Sequence, residues 1–212
     1  MAKVYVFLAN GFEEVEAMAP VDVLRRAGIE VVTVSITGSE FVKGAHNVII
    51  KADKVFTECK YDDAELVVLP GGMPGATNLN EHQGLRNLII EHNLRHKKIG
   101  AICAAPLVLG GLGLLKGKKA TCYPGFEKYL TEAEYTAALV TVDSNIITGE
   151  GPAASLEFAY TLLEQIAGSK HVAPIREGMM YNHLEKEMKS EEGRNNGRRP
   201  KGKPMAAQWI IS

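Results

Sequence analysis

The residues of this chain best suited to chemistry stand where apolar runs end. In Gly100-Ala101-Ile102-Cys103-Ala104-Ala105-Pro106 a small apolar run leads straight into a cysteine, and a second apolar run then opens with a proline. This is the context of a nucleophile elbow, in which a strand turns sharply into a helix and presents one side chain at the turn. Ala104 and Ala105 are small enough for close packing there, and Pro106 suits a first helical turn, where its missing N–H is not needed. A thiol at a helix N-terminus is expected to have a lowered pKa, because the amides and the dipole favour the thiolate. From position alone Cys103 is equally readable as a small buried residue, as free cysteines often are.

Two further groups bear on that choice. Gly71-Gly72 ends another apolar run, and paired glycines let backbone amides approach a ligand or a developing oxyanion, although "PGG" by itself is an ordinary turn. Glu16 falls just inside the first helical segment, on the side of the preceding strand end and beside Ala17-Met18-Ala19-Pro20. A carboxyl partly buried there has a raised pKa, and its neutral form donates a hydrogen bond to a nearby thiolate. Glu13 and Glu14 read as solvated charges favourable to the helix dipole.

An α/β architecture would bring these groups together. Apolar runs at 4–9, 30–36, 65–72 and 98–103 read as strands buried on both faces. Amphipathic segments read as helices over Glu14–Ala27, closed by Gly28; Glu81–His96; Ala104–Leu115; and Ala153–Ala167, closed by Gly168. The alternation over the first 168 residues predicts a mostly parallel sheet, with hairpins or edge strands at 42–53 and 121–148, where no helix intervenes. In such a sheet reactive groups gather at the carboxyl ends of the strands. The ends at Asn10-Gly11, Pro70-Gly71-Gly72 and Cys103 should therefore converge.

Composition narrows the classes. A chain of 212 residues, 46% hydrophobic, predicts one domain, assigned to residues 1–184. Residues 185–212 are charged, rich in Gly and Pro, and read as a tail without a core. Its basic run Arg194 to Lys203 lacks interleaved aromatics and reads as solvated rather than as a nucleic-acid contact. The closing "MAAQWIIS" holds the only tryptophan, Trp209, and suits docking on the body or on a partner. The net charge of −1, from 24 basic and 25 acidic residues, gives no field that recruits nucleic acid or a membrane. Cys59, Cys103 and Cys122 include no C-x-x-C pair, which argues against a disulfide framework or zinc knuckle and for a reducing compartment. The apolar run after Lys3 is too short for a signal peptide, so a cytoplasmic location is expected.

Four stretches in order, "NGFEEVEAMAPVDVLRRAG", "VVLPGGMPGATNL", "GAICAAP" and "GEGPAASLEFA", resemble the ThiJ/PfpI (DJ-one) superfamily, most closely its ThiJ and DJ-one branch, over roughly residues 2 to 183. The resemblance implies a flavodoxin-like three-layer α/β sandwich with helices on both faces of the sheet, and a homodimer. It also implies a reactive cysteine matching Cys103, a protonated glutamate matching Glu16, and amides at Gly72 and Ala104 that face the substrate or the oxidised sulfur. Activities known in the superfamily are cofactor-free glyoxalase and deglycase action on 2-oxoaldehydes such as methylglyoxal, stress-protective redox sensing through cysteine sulfinate, chaperone activity and, in the PfpI branch, proteolysis. No metal or organic cofactor is implied, and the partner is a small carbonyl substrate.

Two departures favour aldehyde or redox chemistry over peptide hydrolysis. Ala104 stands where PfpI-type members carry histidine, so the local base of a protease is missing. Tyr123-Pro124 stands where the DJ-one branch often has His-Pro; Tyr123 either hydrogen-bonds a carbonyl near the thiol or packs on the elbow. His46 lies on an edge segment where other members place polar or basic residues, and is a candidate for the substrate pocket. His183-Leu184-Glu185 has the His-x-Glu spacing of class I glutamine amidotransferases, but follows the last core helix rather than a central strand.

Overall fold

A computed structural model of the chain describes residues 2–195. The strands are β1 (Lys3–Leu8), β2 (Glu30–Ser35), β3 (Phe41–Lys43), β4 (Ile49–Lys51), β5 (Lys54–Val55), β6 (Ala64–Leu69), β7 (Lys98–Ile102), β8 (Lys119–Ala120), β9 (Glu134–Tyr135), β10 (Val140–Asp143) and β11 (Ile146–Gly149). The helices are α1 (Glu14–Arg26), α2 (Gly75–Glu81), α3 (Gln83–Leu94), α4 (Pro106–Gly111), α5 (Ser155–Ala167), α6 (Val172–Gly178) and α7 (Tyr181–Asn195). The main sheet runs β10-β11-β7-β6-β1-β2-β5 and is parallel except for β10. This is the expected flavodoxin-like α/β sandwich.

The runs that read as buried on both faces are so because two helical layers cover them. Register aligns Val6, Val68 and Gly100 across β1, β6 and β7. On that face Gly100 lies under Phe158 and Leu162 of α5, and α5 packs on α1. The alternate side chains, Tyr5, Phe7, Val67, Leu69, Ile99 and Ala101, join Leu79 of α2, Leu85 and Ile89 of α3, and Val108 and Leu109 of α4 in one buried cluster. Period-two alternation thus sends half of each strand to each layer. Gly28 (φ 76°) and Gly168 (φ 86°) follow α1 and α5 in left-handed conformations, as helix-closing glycines do.

Several boundaries differ from expectation. The helix expected over Glu81–His96 is α3, which begins at Gln83 because the chain is extended at His82, whose side chain caps α3 by accepting the Leu85 N–H. A further helix, α2, precedes it from Gly75 to Glu81, with Pro74 at its N-cap, and is not expected from the sequence. α4 stops at Gly111, short of Leu115, with Gly113 (φ 72°) in the turn beyond. β10 and β11 form the expected hairpin with β10 at the edge, but β11 also pairs in parallel with β7 inside the sheet.

The chain divides into two compact units, up to Val172 and from Ala173 onward, earlier than the boundary expected after Leu184. The segment read as a tail from residue 185 is helical as far as Asn195. In the second unit Arg176 pairs with Glu185 and stacks on Tyr181 at 4.5 Å. His183 lies on the same α7. Residues 196–212, including Trp209 and most of the basic run, lie outside the described residues. Among the described residues, no helix is long and apolar enough to cross a membrane.

Candidate active site

Three strand ends meet as the parallel-sheet rule requires. From the end of β1 the chain passes to α1, and the Glu13 N–H donates to Gly71 O at 3.0 Å. Gly71 N–H in turn donates to Glu16 Oε2 at 2.8 Å. A Cβ on Gly71 would lie 2.7 Å from both Cys103 Cβ and Glu16 Oε2, so this glycine is the gap through which the two side chains meet. Gly72, at φ 85°, comes so close to Gly11 and Glu13 that no side chain fits there either.

Cys103 itself has φ 64°, a left-handed conformation rare outside glycine. Its N–H donates to Gly149 O on β11 and its carbonyl accepts the Tyr123 N–H, both at 2.9 Å. These two bonds hold the elbow in that conformation, and the Gly72 and Ala104 amides act on the sulfur in favour of its thiolate. Pro20, four residues after Glu16, lacks the N–H that would close the helical bond to the Glu16 carbonyl.

The electrostatics reverse one expectation. Burial raises the Glu16 carboxyl to about 7, while its hydrogen bonds with Cys103 and with the Gly71 N–H oppose the rise. Burial also pushes the Cys103 thiol up, and the Glu16 carboxylate adds to this, whereas the Gly72 and Ala104 amides act the other way. The helix N-terminus does not lower the thiol overall: α4 has only six residues, the cysteine is 8% exposed, and desolvation dominates. Two adjacent negative charges in so dry a site are strongly disfavoured, so Cys103 and Glu16 act as a coupled pair that keeps at least one proton. Glu16 Oε1 is buried without a regular hydrogen-bond partner, which leaves it free to carry that proton toward the sulfur.

Tyr123 is joined to the elbow by its backbone, and its half-buried ring lies against Gly151 and edge-on to Phe126, which fits the packing reading. His46, on the turn between β3 and β4, has its Nδ1 at 3.0 Å from Glu14 and 3.5 Å from Glu13. Glu13 and Glu14 are not simply solvated helix charges, for each side chain is only 14% exposed. Their role is invisible in local sequence because the hairpin that covers them comes some thirty residues later.

The model of the DJ-1/PfpI family matches residues 2–165. The chain belongs to the DJ-1/PfpI family. It is 37% identical over 175 residues to the Parkinson disease protein 7 homolog of Danio rerio, covering 81% of this chain and 93% of that one. It is 40% identical over 167 residues to protein DJ-1 homolog B of Arabidopsis thaliana, covering 78% of this chain but only 38% of that longer relative. The solved structure of oxidized Toxoplasma gondii DJ-1 superposes with a TM-score of 0.82 at 35% identity, covering 85% of this chain and 98% of the other. As a DJ-1/PfpI protein this chain brings its elbow cysteine, helix glutamate and diglycine turn to one point.

Proposed function

We propose that the protein is a cofactor-free glyoxalase or deglycase acting on 2-oxoaldehydes such as methylglyoxal. The observation that carries this reading is the meeting of the Cys103 and Glu16 side chains at Gly71, beside the Gly72 and Ala104 amides. With the proton on Glu16, the thiolate adds to the aldehyde carbon, and the resulting oxyanion takes hydrogen bonds from the amides and then a proton. Glu16, as carboxylate, removes the hydrogen from the former aldehyde carbon and returns it to the neighbouring carbon as the ketone is reduced. The product is a thioester of a 2-hydroxy acid, and water releases the acid and restores the thiol. One water is consumed and no redox partner is required.

The test is conversion of methylglyoxal to lactate by the purified protein. Cys103→Ala should abolish it, and Glu16→Gln should slow it by about 100-fold or more. Undiminished lactate formation by Cys103→Ala would overturn the reading. Ala104 beside the thiol supplies no base for amide hydrolysis, so no cleavage of casein is expected.

A second reading, redox sensing, is favoured by the same amides. Peroxide transfers one oxygen to the thiolate to give sulfenic acid and water, and a second gives the sulfinate, whose oxygens Glu16 and the amides would hold. Mass spectrometry after mild peroxide should find two added oxygens on Cys103 before Cys59 or Cys122. Even oxidation of all three counts against it. A homodimer is supported by exposed Val15, Phe41, Val48 and Ile49, which are apolar side chains on α1 and the β3–β4 hairpin. Sedimentation of a monomer at micromolar concentration would remove it.

A further inference from the structure

We propose that Glu13, Glu14 and His46 form a binding site for a borderline divalent cation, zinc above all, between the N-terminus of α1 and the turn of the β3–β4 hairpin. One ligand atom from each residue, an imidazole nitrogen and two carboxylate oxygens, lies within 4.8 Å of the others. His46 Nδ1 is 3.0 Å from Glu14 Oε2 and 3.5 Å from Glu13 Oε2. Zinc bonds of about 2.0–2.2 Å in a tetrahedron place ligands roughly 3.3–3.5 Å apart, and the two observed separations bracket that edge. One imidazole with two carboxylates suits zinc or copper(II) better than calcium or magnesium, which favour all-oxygen shells.

The ligands are held in place by the fold, which separates this cluster from a chance meeting of surface charges. Glu14 Oε1 accepts the His46 N–H at 2.8 Å and, more weakly, the Val48 N–H at 3.4 Å, which leaves Oε2 to face the imidazole. Gly44 makes room for that carboxylate, since a Cβ there would lie 2.2 Å from Glu14 Oε1. The hairpin itself is fastened to the loop before α1. Gly11 N–H donates to Lys43 O and Ala45 N–H to Phe12 O, both at 2.8 Å, and Lys43 N–H donates to Asn10 Oδ1 at 3.0 Å. Backbone support of this kind orients metal ligands before the ion arrives. In the single chain the imidazole is 71% exposed, so an ion has a path in and water completes its shell. Val15 and Val48 of the proposed dimer face flank the site without being ligands to it. The site shares no ligand with the Cys103–Glu16 pair and does not depend on the function proposed above.

The test is titration of zinc chloride into full-length Cys103→Ala protein by calorimetry, which removes the elbow thiol as a competing ligand and makes aldehyde turnover irrelevant to the outcome. One zinc per chain should bind more tightly than magnesium or calcium. His46→Ala and Glu13→Gln should each weaken it by about tenfold or more, with circular dichroism and thermal midpoint confirming that both variants fold. X-ray absorption should show nitrogen and oxygen neighbours near 2.0–2.1 Å without sulfur. Zinc affinity no greater than that for magnesium, affinity unchanged in His46→Ala, or a sulfur shell from Cys59 or Cys122 would each overturn the proposal.

Discussion

A non-glycine residue at φ 64° carries strain, and in this chain it is carried by the cysteine that faces Glu16. The left-handed conformation costs an L-residue about 1 kcal/mol that glycine escapes. Cys103→Ala keeps that strain and Cys103→Gly relieves it, so the glycine variant should be the more stable by about 1 kcal/mol although it has less side chain to bury. Urea denaturation midpoints of the two variants measure the difference. An alanine variant equal to or more stable than the glycine variant would show that the elbow is unstrained. At this scale Cys103, Glu16, Gly71 and Gly72 are legible in sequence, because each stands where an apolar run breaks. The direction of the thiol's shift is not, because it depends on how much protein covers the sulfur, and covering is a tertiary property.

The elements that carry these residues are fixed by hydrogen bonds between segments distant in sequence, and the β3–β4 hairpin illustrates it. The Asn10 side chain accepts the Lys43 N–H, and its backbone carbonyl accepts from Asn78 of α2, so one residue joins hairpin, β1 loop and α2. Asn10→Ala removes only the first of these, worth about 1 kcal/mol. Amide exchange at Lys43 and through residues 41–51 should therefore quicken several-fold, while β1, β6 and β7 keep their protection. Exchange unchanged in the hairpin would mean that the two backbone bonds at Gly11 and Ala45 suffice to hold it. Strands β1, β2, β6 and β7 and helices α1 and α5 are readable from periodicity because each has its own apolar pattern and closing signal. The break at His82 is not readable, since it depends on a side-chain cap within an otherwise continuous helical pattern. Nor is the inner position of β11, since its short run of four residues follows β10 with no helix between them.

Over the whole molecule, two buried groups on different helices set opposing responses to pH. Glu16 has its carboxyl raised by burial from 4.5 to about 7, so the folded state binds more protons than the unfolded state between those values. Its contribution to stability is complete below about 4.5 and is lost as pH rises through about 7. His92 on α3 is 4% exposed, bonds the Lys98 carbonyl through Nε2, and has its pKa lowered by burial from 6.5 to about 4. Its contribution is complete above about 6.5 and is lost as pH falls through about 4. Each full shift corresponds to about 3 kcal/mol, and between pH 5 and 6.5 the two slopes have opposite sign and largely cancel. Glu16→Gln retains an acceptor for the Gly71 N–H and removes only the falling slope, so its stability relative to wild type should rise with pH across that window. His92→Gln retains a donor for the Lys98 carbonyl and removes only the rising slope, so its relative stability should fall. Denaturant midpoints at pH 5.0, 5.75 and 6.5 for wild type, both variants and the double variant measure these differences directly. The double variant should return to the flat profile of the wild type, because residues on separate helices with no shared partner contribute additively. If each single variant instead runs parallel to wild type, neither group's pKa differs between the folded and unfolded states, and the burial that couples Glu16 to Cys103 loses its thermodynamic basis.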